Sequence, residues 1–173
     1  MAELWDVLDK DRNKTGRLHE RGMPMGAGDY HLVVHIWIMN GNGEFLVSQR
    51  TPGAELWSGL WQTTGGCAIA GDDSLSAALR ETEEELGIKL DPHNGQIFRQ
   101  YEEPHVQGDG VAFFDVWFFR QEVDISSIVF QPEETVDAMW ASREKIKQMM
   151  DAGIFMPRED AYPYIDDLFE RMV

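Results

Sequence analysis

Apolar residues along the chain fall into two periods. One repeats every second residue, as in a strand, and the other every third or fourth, as on one face of a helix. Residues 4–8, LWDVL, predict a short strand, and the polar stretch DKDRNKTG after it a turn. Three glycines and a proline in 21–29 predict a loop. Residues 30–39, YHLVVHIWIM, form a nearly continuous apolar run rich in β-branched side chains, as a strand covered on both faces would need. Asn40-Gly41-Asn42-Gly43 then reads as a hairpin turn, with EFLVSQR, 44–50, as the partner strand. A loop over 52–59, a short stretch LWQTT and a glycine-rich passage GGCAIAGDD lead into a helix over 74–86.

That helix carries Leu75, Ala78, Leu79 and Leu86 on one stripe, with Thr82 among them. Asp72, Asp73 and Ser74 suit its N-terminus and Gly87 the position just past its end. Further strands are expected at 96–104, 111–122 and 136–141, and helices at 142–152 and 163–172. Strands interleaved with a few helices predict an α/β or α+β domain with a mixed sheet. A chain of 173 residues suits one domain, 1–173, in which about 1–29 form an N-terminal extension with a short strand and a loop.

Charge narrows the function classes. Fifteen Lys and Arg against 31 Asp and Glu leave a formal net charge of −16, which repels nucleic-acid backbones and anionic lipid. Neither nucleic acid nor a membrane is therefore an expected partner. A phosphorylated ligand would need a cation to reverse the field locally. No stretch has the roughly 18 to 20 apolar residues that span a bilayer. With one cysteine and no visible signal peptide, the expected location is the cytoplasm. A homodimer is compatible with the sequence.

The far side of helix 74–86 has the candidate chemistry. Glu81, Glu84 and Glu85 stand at i, i+3 and i+4, so three carboxylates converge. Glu83 adds a fourth charge, and Arg80 is the adjacent cation. Like charges at this spacing cost about 0.2–0.5 kcal/mol per pair. Carboxylate oxygens so gathered suit Mg²⁺, with Mn²⁺ as a second candidate.

From Gly66 the chain runs five residues to Asp72, seven more to Arg80, then RETEEELGI. This resembles the Nudix box, G-x5-E-x7-R-E-U-x-E-E-x-G-U with U a bulky aliphatic residue. Gly66, Arg80, Glu81, Glu84, Glu85, Gly87 and Ile88 match. Asp72 departs by one methylene. Thr82 departs by a hydroxyl, which is expected to bond a helical carbonyl. FLVSQR, the Trp57-to-Trp61 stretch, Gly65-Gly66, and Glu133-Glu134-Thr135 with VDAMWAS extend the likeness over roughly residues 4–150.

The resemblance implies an α/β/α sandwich and a Mg²⁺-dependent hydrolase that cleaves a small organic diphosphate, nucleoside-type in our reading, with metal-activated water. It implies Glu81, Glu84 and Glu85 as metal ligands or proton handlers, helped by the Gly66 backbone carbonyl. Arg80 would orient a glutamate. Arg50 is implied as a phosphate contact and Glu134 as a further substrate-side group. Selectivity is expected from loops 51–58 and 103–110.

Other conspicuous residues have plainer expectations. His31 and His35 share a strand face, and packed or hydrogen-bonded roles suit them better than metal binding. Trp37, Trp57, Trp61 and Trp117 suit core and rim packing, and Cys67 a small filler. The N-terminal stretch LWDVLDKDRNKTGR with GDYH also resembles the Nudix branch containing type 1 isopentenyl diphosphate isomerase, which gives an alternative of another class. Against it, Ala68 stands where a histidine is needed, Gly66 where the cysteine is needed, and Asp115 where a glutamate is needed. A non-catalytic ligand sensor is a third reading, disfavoured by three retained, mutually repelling glutamates.

Overall fold

The computed structural model describes residues 1–104 and 110–172. Residues 105–109, within the loop expected to select substrate, lie outside the described residues.

One mixed sheet of nine strands organises the chain: β1 Leu4–Leu8, β2 Lys14–Glu20, β3 Tyr30–Met39, β4 Phe45–Arg50, β5 Trp61–Gln62, β6 Thr64–Cys67, β7 Gly95–Pro104, β8 Val111–Arg120 and β9 Thr135–Ala141. The long apolar run becomes the hub. β3 pairs in parallel with β8 along its whole length, from Tyr30↔Val111 to Met39↔Arg120, and antiparallel with β1, β4 and β6. The turn after it forms as expected. Asn40 Oδ1 accepts from the Asn42 and Glu44 amides, and Gly43 takes φ 74°.

Strand alternation decides which layer each side chain joins. Val34, Ile36 and Ile38 of β3 pack beneath α1, Ser74–Leu86. Trp37 and Met39 pack on the opposite face against α2, Arg143–Asp151, and α4, Ile165–Arg171. The result is the expected α/β/α sandwich.

Four local expectations need correction. Residues 14–20, placed in a turn and its approach, form β2, an edge strand antiparallel to β1. All but one of its residues are exposed, so no apolar alternation marks it; the Asp9 carboxylate, bonded to the Asp11 and Asn13 amides, shapes the turn instead. The glycine-rich passage before the helix, given no strand from the sequence, opens in β6, where Gly65 faces His35 and Gly66 faces Val34. A Cβ on Gly65 would stand 2.6 Å from the Val34 carbonyl oxygen, so the close strand approach requires glycine.

The expected helix 163–172 is α4 alone, preceded by a separate turn, α3 Arg158–Ala161. Pro163 disfavours helical geometry at Tyr162, which sits at φ −133° and ψ 60° between them. Finally, β8 ends at Arg120 and α2 begins at Arg143, because Ser142 is its cap, accepting from the Lys145 amide.

Candidate active site

Helix α1 starts from a reciprocal cap. Asp73 accepts from the Ser76 amide, and the Ser76 hydroxyl accepts from the Asp73 amide. It stops at Gly87, left-handed at φ 66°. Thr82 is fully buried, and its hydroxyl donates to the Ala78 carbonyl at 2.9 Å, as expected. The glutamates are less ordinary. Glu81 and Glu85 are buried, more so than the half-buried Leu75 and Leu79 on the supposed core stripe. Glu84 is half exposed and Glu83 faces solvent beside Lys89.

Burying carboxylates is expensive unless something compensates. Arg80 compensates in part. Its guanidinium donates to Glu81 at 2.9 Å, Glu84 at 3.0 Å, Asp72 at 3.0 Å and the Cys67 carbonyl at 3.0 Å. Burial works against its charge, but Glu81 and Asp72 more than offset that and hold its pKa above the ordinary arginine value. Burial pushes Glu81 up to about 7, against the pull of Arg80 and helped by Glu84 and Glu134.

Glu85 is pushed well above the usual carboxylate range, first by burial, then by Glu81 and Glu134. Its Oε2 is buried and has no hydrogen-bond partner among the described residues. Next to it, the backbone of β6 presses against the Glu81 carboxylate. A Cβ on Gly66 would lie 2.5 Å from it, so only glycine admits the side chain there.

These groups line a cleft of about 390 Å³. Every site residue expected from the sequence lines it: Gly66, Arg80, Glu81, Glu84, Glu85, Arg50 and Glu134. Arg50 makes no surface ion pair among the described residues. It donates to the Leu56 carbonyl at 3.1 Å and to Gln62 Oε1 at 3.2 Å, and its charge is felt at Glu85. Sequence reasoning missed Tyr101, Phe114 and Tyr162, which also line the cleft. Strand alternation could have placed Tyr101 and Glu103 on one face of β7, but nothing in the pattern showed which face.

The divalent ion implied by the acidic cluster finds suitable donors. Hard carboxylate oxygens converge, one of them is buried without a partner, and a glycine backbone lies against the cluster. Among the described residues no three acid, His or Cys side chains are already drawn together at ligand spacing. Arg80 is the cation between Glu81 and Glu84 in this structure.

The remaining residues take the plainer roles. His31 is fully buried and stacks on Trp5 at 4.4 Å. His35 Nδ1 is 2.8 Å from the Tyr164 hydroxyl. Trp37 is in the core, Trp61 packs against it and Trp117 donates to Ser74 at 2.9 Å, whereas Trp57 lines the cleft. Cys67 lines the same cleft. Asp115 faces a second one, on the α1 side of the sheet, where Arg12 holds it at 2.7 Å and Gln100 at 3.0 Å.

The chain is similar to known proteins in sequence and in fold. The NUDIX domain profile matches residues 29–160. A Nudix hydrolase of Listeria innocua is 34% identical over 97% of this chain and 94% of its own length. A crystallised protein from Deinococcus radiodurans superposes with a TM-score of 0.72 at 20% identity, over 98% of this chain and 99% of its own. The isopentenyl-diphosphate Delta-isomerase of Citrobacter koseri is also similar, at 22% identity over 85% of this chain and 81% of its own. The chain belongs to the Nudix family, as a Nudix pyrophosphohydrolase.

Proposed function

We propose that the chain is a Mg²⁺-dependent hydrolase that cleaves the diphosphate linkage of a small organic diphosphate, of nucleoside type, by attack of water. The observation that carries this reading is Glu85, a buried carboxylate whose Oε2 has no hydrogen-bond partner, set beside Glu81 and Glu84 at the wall of the cleft. A fold that stabilised only itself would gain by replacing it with an apolar residue.

In this reading Glu81, Glu84, Glu85 and the Gly66 carbonyl hold the metal. The ion supplies charge neutralisation at the diphosphate and lowers the pKa of water. Arg80 stays anchored by Asp72 and the Cys67 carbonyl, so it can release Glu84 and still orient Glu81. Burial raises Glu81 to about 7 in the metal-free protein; bound to the ion it would be a ligand with a lowered pKa, and left off the ion it would be the candidate proton acceptor. Arg50 faces the substrate phosphates, and Glu134 adds negative potential at Glu81 and Glu85. The cleft volume is of the size that holds a small molecule.

Isomerase chemistry fits less well. Cys67 and Asp115 line different clefts, and Asp115 is already held by Arg12 and Gln100. A panel of organic diphosphates incubated with Mg²⁺ or Mn²⁺ tests the reading by released phosphate and pyrophosphate. Turnover is expected to vanish on chelation and return with metal. Full turnover after exhaustive EDTA treatment would overturn the metal role, and isopentenyl diphosphate isomerised without hydrolysis would overturn the reaction.

A further inference from the structure

The cleft has a second half that the diphosphate chemistry does not use. An aromatic wall runs away from Glu85. Tyr162 feels the charges of both Glu85 and Arg50. The His35 ring lies 5.3 Å from Tyr162 and 5.4 Å from Phe114. Phe114 stacks on Tyr101 at 5.0 Å, with the rings only 8° from parallel. Tyr101 feels Glu103, two residues further along the same face of β7. The wall therefore starts beside the candidate metal carboxylates and ends beside another carboxylate.

Charge around the cleft is one-sided. Among the described residues nine carboxylates but three guanidiniums line the cleft. Arg80 is held by Asp72, Glu81 and Glu84, Arg21 leans on Glu3 at 3.4 Å, and Arg50 stands at the Glu85 end. Burial and neighbouring carboxylates hold the Tyr101 and Tyr162 phenols above their ordinary pKa, so both rings stay neutral and electron-rich.

Electron-rich rings next to a carboxylate attract a cation with a diffuse, weakly hydrated charge. An ordinary anionic or neutral base would gain only stacking there. We infer that the cleft selects diphosphates whose organic part is cationic, such as an alkylated heteroaromatic ring or a quaternary ammonium group, held over Tyr101 and Phe114 beside Glu103. This rests on the hydrolase reading: Mg²⁺ and Arg50 take the anionic end of the ligand, and the wall takes its cationic end.

Matched pairs isolate the charge. GDP and 7-methyl-GDP differ by one methyl group and one positive charge on the base; NADH and NAD⁺ differ likewise at the nicotinamide. Initial rates with the whole chain and Mg²⁺ are expected to give kcat/KM about tenfold higher for the cationic member of each pair. Dissociation constants measured with Ca²⁺ in place of Mg²⁺ are expected to show the same preference for any pair that is not turned over. Tyr101→Leu and Glu103→Gln are each expected to shrink the preference to within about twofold, while Tyr101→Phe, which keeps the ring, retains it. Equal or weaker binding and turnover of the cationic members would overturn the inference and leave the hydrolase reading standing. A chain that hydrolyses no diphosphate in a broad panel overturns the hydrolase reading instead, and the calcium binding ratio still decides the preference.

Discussion

At the residue scale, Glu84 and Glu85 are neighbours with opposite surroundings. Glu84 is half exposed and paired with Arg80, so Glu84→Gln is expected to change metal-free stability by less than about 0.5 kcal/mol. Glu85 is buried with an oxygen left unpaired, so Glu85→Gln is expected to stabilise the metal-free protein by roughly 1 kcal/mol. Both variants are expected to lose activity and most of the melting-temperature rise that saturating Mg²⁺ gives the parent. At 100 times its dissociation constant a ligand contributes about 2.7 kcal/mol. Thermal melts of the three proteins with and without Mg²⁺ check this; if Glu85→Gln melts lower without metal, the carboxylate is structural. The sequence showed which carboxylates converge, through their i, i+3, i+4 spacing. It did not show that Glu81 and Glu85 are buried, because that depends on how β6 and the chain at 129–131 fold back against α1. Gly66 was legible as a box position, but its reason, a Cβ only 2.5 Å from the Glu81 carboxylate, appears once β6 is seen beside the helix.

At the element scale, α1 was the most legible part of the chain. Its stripe, its cap residues and Gly87 all act within one or two turns of the residues they affect, and sequence spacing records local effects well. The reciprocal cap gives a direct check. Asp73→Ala removes the bond to the Ser76 amide and is expected to cost about 1 kcal/mol in a denaturant titration, with Asp73→Ser recovering most of it. Loss of less than about 0.3 kcal/mol would mean that packing alone holds the helix start. β2 was illegible for the converse reason. It is an edge strand with almost no buried side chain, held by backbone pairing to β1, and pairing leaves no periodic mark in the side chains. The expected last helix, 163–172, starts at Pro163 and so matches α4; α3, Arg158–Ala161, was not legible because four residues are too few to show a helical period.

At the scale of the whole molecule, two side-chain contacts help fasten the first twenty residues to the rest, beside the pairing of β1 with β3. Trp5 is fully buried against His31, and Arg12 reaches the buried Asp115 while lying 4.5 Å over the Phe113 ring. Arg12→Ala strands a buried carboxylate with Gln100 as its remaining partner and is expected to cost about 3 kcal/mol. Adding Asp115→Asn to that variant is expected to restore at least half of the loss. Urea titrations of the two variants and the parent test it, and purely additive losses would show that the pair is not coupled. The long parallel pairing of β3 with β8 has a consequence in time. Tyr30 cannot meet Val111 until the intervening chain has been synthesised and its ends brought together. That closure has an entropic cost, which is met before the contacts it permits can form. A chain emerging from the ribosome therefore carries its most apolar strand, residues 30–39, without its parallel partner through much of synthesis. Apart from β1, which meets it at Tyr30, the hairpin it makes with β4 is the first pairing open to it.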